Sequence, residues 1–398
     1  MRFLFAWEQG ANLGHVSAML PIARILKARG HHVLFAVKEL ATASQLLDAE
    51  GFRYVQSPVA MGIVKSRREA ASFADVLAEG GFGDAGVLGA MIRAWETIFD
   101  LSRPDVVLSE FAPTAIQAAN INGIPCMKLG SGFESPPETA PYPCFRPWLK
   151  LNRDQLLENE NRLLSNVNQV RRDFGMEELS HLYQAVRADV SLQAVMPELA
   201  YYPDKKARCI GPLFMADEGQ QIRWPGLCGK RIFAYVRPAS ETVMILEELE
   251  KSGAEVVAFI PGIAETLLQK YSNQRMHVIT SKAKLSGLLP DADLTICNAN
   301  LATVSASLLS GVPCLCIPTH IEQLMVSCNL ERLGAGRWLR RDQISKRFES
   351  TLNEMLDNDR YKKKLRGISR KYADYDQSQV YVRLANTLER MKTDVSSG

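Results

Sequence analysis

This sequence of 398 residues lacks several features that would indicate a membrane-spanning, secreted or nucleic-acid-binding protein. No apolar run has the length of a membrane-spanning helix, and the N-terminus lacks the charged start and cleavage site of a signal peptide. We therefore expect a cytoplasmic protein without stable membrane insertion. The formal net charge is only +3, which gives no electrostatic reason to expect a nucleic-acid partner.

Metal-binding patterns are also missing, although the chain has eight cysteines and six histidines. The cysteines are dispersed, and Cys314 and Cys316 lack the two-residue gap of a zinc or redox pair. His31 and His32 are adjacent, so they would point in different directions from a strand. We expect buried free thiols, no disulfide framework and no metal site.

What the sequence does contain is an alternation of short apolar runs and helical periodicity that occurs twice. Five runs typical of buried parallel strands precede residue 135, at residues 2–7, 32–37, 52–56, 105–109 and 126–129. Proline and glycine then interrupt the pattern, and it restarts with strands predicted at residues 231–236, 255–259, 277–280, 294–297 and 314–318. This pattern predicts an α/β protein with two Rossmann-like, doubly wound domains that face each other across a cleft.

A chain of this length is too long for one hydrophobic core, and the interruption of the strand–helix pattern indicates where the domains divide. We predict an N-terminal domain at residues 1–215, a linker at 216–229 and a C-terminal domain at 230–378. Residues 379–398 are predicted to form a C-terminal helix that packs back on the N-terminal domain. Within the N-terminal domain, the sequence also predicts helix as far as residue 192 and a flexible loop at residues 81–86.

His15 is the most informative single residue, because it lies at a predicted strand-to-helix turn. Ligands of open α/β sheets bind at that edge of the sheet. Glu110 follows the strand predicted at residues 105–109, so its carboxylate reaches the same edge. A histidine there would remove a proton from a hydroxyl group, and a carboxylate would orient the imidazole ring. The alternative for His15 is a structural residue that caps the helix start.

Residues in both predicted domains follow the order and spacing of a known family. Gly14-His15-Val16 and Pro21 lie in the first domain, while residues 288–293, 311–313 and 333–336 lie in the second. Together they resemble nucleotide-sugar-dependent glycosyltransferases of the B fold, particularly the UDP-glycosyltransferase superfamily. The resemblance implies an inverting, metal-independent transfer of a sugar to a hydroxyl of a small-molecule or glycan acceptor. The nucleotide diphosphate sugar is then a co-substrate, and no cofactor is required.

The resemblance also agrees with the acid–base assignment in the N-terminal domain. Many relatives carry an aspartate paired with the catalytic histidine where this chain has Glu110, whose carboxylate is one methylene further from the backbone. We predict that the acceptor is contacted by Gly14, by Phe82 in the loop at residues 81–86, and by Phe145. Phe145 belongs to an aromatic, proline-rich stretch at residues 136–148, for which an ordinary packed connection is the alternative.

In the C-terminal domain the resemblance implies a set of donor-binding residues: Arg237, Ser281, Asn298, Ala299, Asn300, Thr303, Glu322 and Gln323. Relatives usually have His-Gly-Gly-x-Gly-Thr where this chain has residues 298–303 as Asn-Ala-Asn-Leu-Ala-Thr. The loss of glycine reduces the close approach of backbone to phosphate. Arg237 would offset the missing histidine as a charged partner of the diphosphate. Its alternative is a solvated surface position, and that of Glu322 and Gln323 is a helix N-terminal turn.

Two further points limit what the sequence predicts. Ala306 stands where relatives often have a glutamate that holds the ribose hydroxyls, which leaves room for a dTDP-sugar as well as a UDP-sugar. The altered motif at residues 298–303 also leaves two alternatives to transfer open, namely a sugar-nucleotide-binding protein that has lost catalysis and a sugar-nucleotide epimerase of the same fold. Acceptor, donor sugar and oligomeric state are not predicted.

Overall fold

The computed structural model describes residues 1–10, 14–61, 69–146, 148–213 and 219–395, and the side chains of all of these up to residue 392. The chain divides into two compact units. The first unit comprises Met1–Ala194, Tyr202–Gly211 and Asp376–Gly398, and the second comprises Val195–Tyr201 and Pro212–Tyr375. Residue 147 of the aromatic stretch and residues 216–218 of the predicted linker lie outside the described residues.

In the part of the first unit that the structure describes, six parallel strands form one sheet in the order β3-β2-β1-β4-β5-β6. The strands are β1 (Arg2–Ala6), β2 (His32–Val37), β3 (Arg53–Gln56), β4 (Val106–Ser109), β5 (Cys126–Gly130) and β6 (Val190–Gln193). The helices along this part of the chain are α1 (Gly14–Ala28), α2 (Leu40–Leu47), α3 (Phe73–Leu77), α4 (Ala85–Ser102), α5 (Pro113–Ile121) and α6 (Arg153–Asp173).

The central strands of this sheet are buried, which explains their apolar sequences. Every residue of β4 and β5 is buried, and so is every residue of β1 after Arg2. Such strands are covered on both faces in α/β proteins, and a continuous apolar run is their signature. The strand order reverses between β1 and β4, so the segments that follow these two strands diverge from neighbouring points at one edge.

The second unit repeats this arrangement. Its described residues form six parallel strands in the order β9-β8-β7-β10-β11-β12, with the reversal between β7 and β10. The strands are β7 (Arg231–Tyr235), β8 (Glu255–Phe259), β9 (Met276–Ile279), β10 (Leu294–Cys297), β11 (Cys314–Cys316) and β12 (Gly336–Trp338). The helices are α7 (Thr242–Lys251), α8 (Glu265–Tyr271), α9 (Leu301–Leu309), α10 (Ile321–Leu333), α11 (Ile344–Asp357) and α12 (Arg360–Lys371).

The last helix, α13 (Gln377–Val395), belongs to the first unit and packs on α1. Arg29 Nη1 donates to Glu389 Oε2 at 2.7 Å, and Lys392 Nζ donates to Asp105 Oδ1 at 2.6 Å. No helix in the described parts of the chain is long and apolar enough to cross a membrane.

Two predictions of local structure in the first unit are wrong. The chain is not helical as far as residue 192, because α6 ends at Asp173 and β6 forms the edge of the sheet. Residues 81–86 are not one continuous loop, because Gly81 and Phe82 end a π-helical turn, Gly83 and Asp84 form a short connection, and residues 85 and 86 begin α4. Tertiary contacts hold this glycine-rich segment, since Asn166 Nδ2 donates to the carbonyl oxygen of Phe82 at 3.0 Å.

Candidate active site

Most of the predicted site residues lie in the segments at the carboxyl ends of the two parallel sheets. In each sheet the strand order reverses once, between β1 and β4 and between β7 and β10. Ligands of open α/β sheets bind at such a reversal, because the flanking segments leave a crevice there. Each unit therefore offers one candidate binding region, and the two regions have different chemistry.

In the first unit the structure brings His15 and Glu110 into contact. Nδ1 of His15 lies 2.6 Å from Oε2 of Glu110, and the two side chains are 21% and 8% exposed. The contact follows from the fold, because β1 and β4 are adjacent parallel strands with Ala6 paired to Ser109. An ionised carboxylate only accepts hydrogen bonds, so the Nδ1–H of His15 is the donor. The additional methylene of Glu110 is thus compatible with the pair.

The imidazole of His15 is held on two further sides. Its ring stacks on Trp7, with centroids 5.3 Å apart and planes 21° apart, and Phe111 lies 6.2 Å away. Gly10 lies against the other ring nitrogen, since a Cβ at Gly10 would be 2.2 Å from Nε2. Gly10 also has a φ of +80°, which L-residues with a side chain rarely adopt. With Nδ1 directed at Glu110, Nε2 is the nitrogen that can accept a proton.

Buried titratable groups lie close to this pair. Burial, and then the charge of Glu110, raise the pKa of Glu134. Burial lowers the pKa of Lys128, whose Nζ donates to the carbonyl oxygen of Val186 at 3.4 Å. Lys128 and Glu134 line a small cavity with Ser109, Phe73 and Phe111. The environment behind the His15–Glu110 pair is thus apolar with a few enclosed polar groups.

The residues predicted to contact the acceptor are not equally placed. Gly14 is exposed at the first turn of α1. Phe145 is 6% exposed, and the centroid of its ring lies 5.7 Å from that of Phe133. The Phe133 ring contacts Phe111, which in turn lies next to His15. Phe82 is fully buried, so its ring has no surface for a ligand. The prediction that Phe82 contacts the acceptor is corrected on this ground, because the helical turn directs the side chain into the core.

In the second unit, Asn298 joins the ends of three strands. Its Oδ1 accepts a hydrogen bond from the N–H of Arg237 after β7, and its Nδ2 donates to the carbonyl oxygen of Ile317 after β11, both at 2.9 Å. The side chain is 9% exposed. Both ends of this amide thus bind backbone and hold the edge of the sheet, while the second N–H of Nδ2 keeps its donor capacity, so the diphosphate contact stays a prediction.

Ala299 keeps the backbone conformation that a glycine would favour. Its φ is +62° and it is 1% exposed. Asn300 precedes α9 but makes no side-chain cap, and its Oδ1 is buried without a hydrogen-bond partner among the described residues. The first turn of a helix has backbone N–H groups without intrahelical partners, which bind anions. Although the motif at residues 298–303 is altered, the N-terminus of α9 therefore still lies at this edge of the sheet.

The remaining predicted donor residues lie at the same edge but differ in exposure. Arg237 and Ser281 are exposed after β7 and β9, whereas Thr303 is buried in the first turn of α9. Glu322 lies in the first turn of α10. Gln323 is 9% exposed, and its Oε1 accepts hydrogen bonds from the N–H and the hydroxyl of Thr319 at 2.8 and 2.9 Å. That oxygen thus stabilises the turn before α10.

The sequence analysis missed residues that the structure places at both edges. In the first unit they are Trp7, Glu8 and Gly10, which directly follow β1. In the second unit it is His320, which precedes α10; burial, and then the positive charge of Arg237, lower its pKa. The signal that identified Glu110, a polar residue directly after an apolar strand, applies to Glu8 as well.

Comparisons with known proteins agree with this arrangement. Residues 236–378 match the family model described as UDP-glucoronosyl and UDP-glucosyl transferase. A PGL/p-HBAD biosynthesis rhamnosyltransferase of Mycobacterium bovis (strain BCG / Pasteur 1173P2) is 23% identical over 388 residues, which cover 91% of this chain and 82% of the relative.

Solved structures agree over nearly the whole chain. The calicheamicin glycosyltransferase CalG4 has a TM-score of 0.73 at 18% identity, covering 98% of each chain. The spinosyn rhamnosyltransferase SpnG with spinosyn aglycone has a TM-score of 0.69 at 17% identity, covering 97% of this chain and 100% of SpnG. SpnG with thymidine diphosphate has a TM-score of 0.68 at 16% identity and the same coverage.

These findings confirm the predicted fold, the resemblance and the class of enzyme. Two parallel sheets of the same strand order, each with its flanking helices, are the architecture of the B-fold glycosyltransferases. The match at residues 236–378 includes every donor-binding residue that the resemblance implied. This chain accordingly has the B fold of the glycosyltransferases, and its residues 236–378 match the family model of the UDP-glucoronosyl and UDP-glucosyl transferases.

Proposed function

We propose that this protein transfers a sugar from a nucleotide diphosphate sugar to a hydroxyl group, with inversion at the anomeric carbon and with His15 as the general base. The observation that carries the proposal is the 2.6 Å contact between His15 Nδ1 and Glu110 Oε2 at the β1/β4 reversal. A histidine paired in this way through one nitrogen can accept a proton at the other.

The proposed reaction is a single displacement at the anomeric carbon. Nε2 of His15 takes the proton of the acceptor hydroxyl while that oxygen bonds to the anomeric carbon. The bond from this carbon to the diphosphate breaks, and its electron pair leaves with the nucleoside diphosphate. Glu110 stabilises the imidazolium, and the helix start at α9 stabilises the charge on the leaving group. Neither a cofactor nor a metal ion takes part in the proposed step.

The donor is proposed to be a UDP-sugar or a dTDP-sugar held by the second unit. Ala306 belongs to an apolar cluster with Phe233 and Leu288, so this position offers no carboxylate to the ribose hydroxyls. A deoxyribose lacks the 2′-hydroxyl, so it needs fewer hydrogen bonds at this position. The spinosyn rhamnosyltransferase binds thymidine diphosphate and the mycobacterial relative is a rhamnosyltransferase, which supports a dTDP-sugar as the first donor to test.

The acceptor is proposed to be a hydroxyl on an apolar or aromatic body, held by the first unit. The rings of Phe111, Phe133 and Phe145 lie next to one another beyond His15, with neighbouring centroids 6.4 and 5.7 Å apart. These rings are 7%, 3% and 6% exposed, so they form an apolar wall of which only a small part can meet an acceptor, and such a wall suits an aromatic or alicyclic group. The spinosyn aglycone of the structural relative is therefore a reasonable first acceptor.

The test is a transfer assay with radiolabelled UDP- and dTDP-sugars against a panel of phenols and macrolide aglycones, with and without EDTA. We expect a glycosylated product of inverted configuration and no loss of rate with EDTA. Conversion of the donor without acceptor would instead identify an epimerase. Binding of nucleotide without transfer or hydrolysis would identify a binding protein, and either result would overturn the proposal.

A further inference from the structure

Glu8 is a second buried carboxylate at the β1/β4 reversal, and the mechanism above does not use it. It follows β1 directly, between Trp7 and Gln9, and is 4% exposed. An ionisable side chain is rarely enclosed to this extent unless it is hydrogen-bonded or paired. The contacts of Glu8 therefore indicate what it does.

The carboxylate of Glu8 accepts four hydrogen bonds from two other segments of the first unit. Its Oε1 accepts from Trp95 Nε1 on α4 at 2.9 Å, from the Thr114 hydroxyl at 2.7 Å and from the N–H of Ala115 at 2.7 Å. Its Oε2 accepts from the N–H of Thr114 at 3.1 Å. Thr114 and Ala115 form the first turn of α5, so Glu8 supplies the acceptors that this helix start requires.

These hydrogen bonds tie together the two loops that carry the His15–Glu110 pair. Thr114 lies four residues after Glu110, while Glu8 adjoins Trp7, on which the ring of His15 stacks. Backbone hydrogen bonds join the same loops, from Gln9 N–H to the oxygen of Phe111 at 3.0 Å and from Glu110 N–H to that of Ala6 at 2.9 Å. A change at Glu8 would thus alter the position of one partner relative to the other.

We propose that Glu8 is a positioning residue, which holds the segment after β1 and the start of α5 in the register that the His15–Glu110 pair requires. Its kinetic consequence rests on the function proposed above, whereas its structural consequence does not. Burial raises the pKa of Glu8 to about 7, against four hydrogen bonds that lower it. The four hydrogen bonds thus offset part of the cost of burying the charged carboxylate.

The experiment is a titration of His15 in protein labelled with 13C-histidine and followed by NMR, with the signal assigned from the His15→Ala variant. Glu110→Gln gives the midpoint of a histidine without its carboxylate. We expect Glu8→Gln to move the wild-type midpoint toward that value, because an amide cannot accept all four hydrogen bonds. In a transfer assay, kcat/KM for the acceptor should fall about tenfold while donor affinity is unchanged.

A matched control and a milder variant keep the test decisive. Glu160→Gln replaces another buried glutamate of the first unit, whose carboxylate contacts Tyr142 rather than either loop, and it should leave the His15 midpoint at the wild-type value. Thr114→Val removes the hydroxyl that donates to Glu8 at 2.7 Å and accepts from Trp95 Nε1 at 2.9 Å, but keeps the backbone contacts of Glu8. It should shift the midpoint less, in the same direction, even if Glu8→Gln fails to fold.

The outcomes separate this inference from the proposed function. A wild-type midpoint in both Glu8→Gln and Thr114→Val would overturn the positioning role, and so would an equal shift in Glu160→Gln. If the wild-type protein transfers no sugar, the proposed function fails, but the titration still decides whether Glu8 positions the pair.

Discussion

The reversal points of the two sheets have the same strand order but different chemistry. At β1/β4 the side chains supply the chemistry, with the 2.6 Å contact of His15 and Glu110 enclosed by Trp7 and Phe111. At β7/β10 the backbone supplies it, with Ala299 at a φ of +62° before the uncapped start of α9. The same topology thus suits proton transfer in one unit and anion binding in the other, and the residues after each strand decide which.

The largest effect on activity is expected from removing the imidazole at the β1/β4 reversal. His15→Ala removes the proposed base, and the transfer rate should fall by about 10²- to 10⁴-fold, which is the usual contribution of general acid–base catalysis. Nucleotide binding, measured by calorimetry, should be unchanged because the donor is assigned to the second unit. His32→Ala, at an exposed position of the same unit, is the control and should retain full activity. Retained turnover in His15→Ala would reject the mechanism.

A smaller loss is expected when the space beside the base is filled. In Gly10→Ala a Cβ would lie 2.2 Å from His15 Nε2, so the imidazole must leave its present position and the geometry of its contact with Glu110 must change. We expect kcat to fall about 10- to 100-fold, as for other displacements of about 1 Å at a reacting group.

Gly30→Ala is a matched control for this variant. Gly30 has a φ of +83°, close to the +80° of Gly10, but a Cβ at Gly30 would meet no atom within 4 Å. Both variants should lose stability on thermal unfolding, since both force an alanine into the left-handed region, and Gly10→Ala should lose more because its Cβ also overlaps the His15 ring. Only Gly10→Ala should lose activity, and equal losses of activity would show that strain rather than contact is responsible.

At the β7/β10 reversal, substitutions test the backbone conformation and should change stability only slightly. Ala299→Gly should stabilise the protein by about 1 kcal/mol, because glycine adopts a φ of +62° without the steric cost that alanine meets. Ala302→Gly, in the first turn of α9, should have the opposite sign, since glycine within a helix costs about 1 kcal/mol. Urea unfolding measures both values. Destabilisation by Ala299→Gly would contradict the assigned conformation.

A further effect concerns the dependence of stability on pH. Burial raises the pKa of Glu160 to about 7 from 4.5. The folded protein therefore binds this proton more tightly than the unfolded chain, so the contribution is complete below pH 4.5 and is lost as the pH rises through 7. Glu160→Gln should flatten the fall in unfolding free energy between pH 5 and pH 8. The exposed Glu158 on the same helix provides the control, and Glu158→Gln should keep the wild-type slope.

Local pattern was sufficient for the positions where a polar residue follows an apolar strand. His15 and Glu110 were predicted in this way, and adjacent parallel strands bring them together. The pattern was insufficient for Phe82, because glycines favour a loop locally while contacts from α6 hold the segment in a helical turn. The strands β6 and β12 were missed because they are partly buried edge strands that contain Ser191, Gln193 and Arg337, so neither shows a continuous apolar run.

The sequence by itself determined the α/β class, the two sheets and the positions of His15 and Glu110, because buried parallel strands and the turns after them have characteristic local patterns. Only the tertiary structure decided that Asn298 binds backbone, that Ala299 keeps a left-handed conformation and that Glu8 joins two loops. The hydrogen bonds of Asn298 and Glu8 are made with atoms from segments distant in the chain, and partners of that kind cannot be read from the neighbouring sequence.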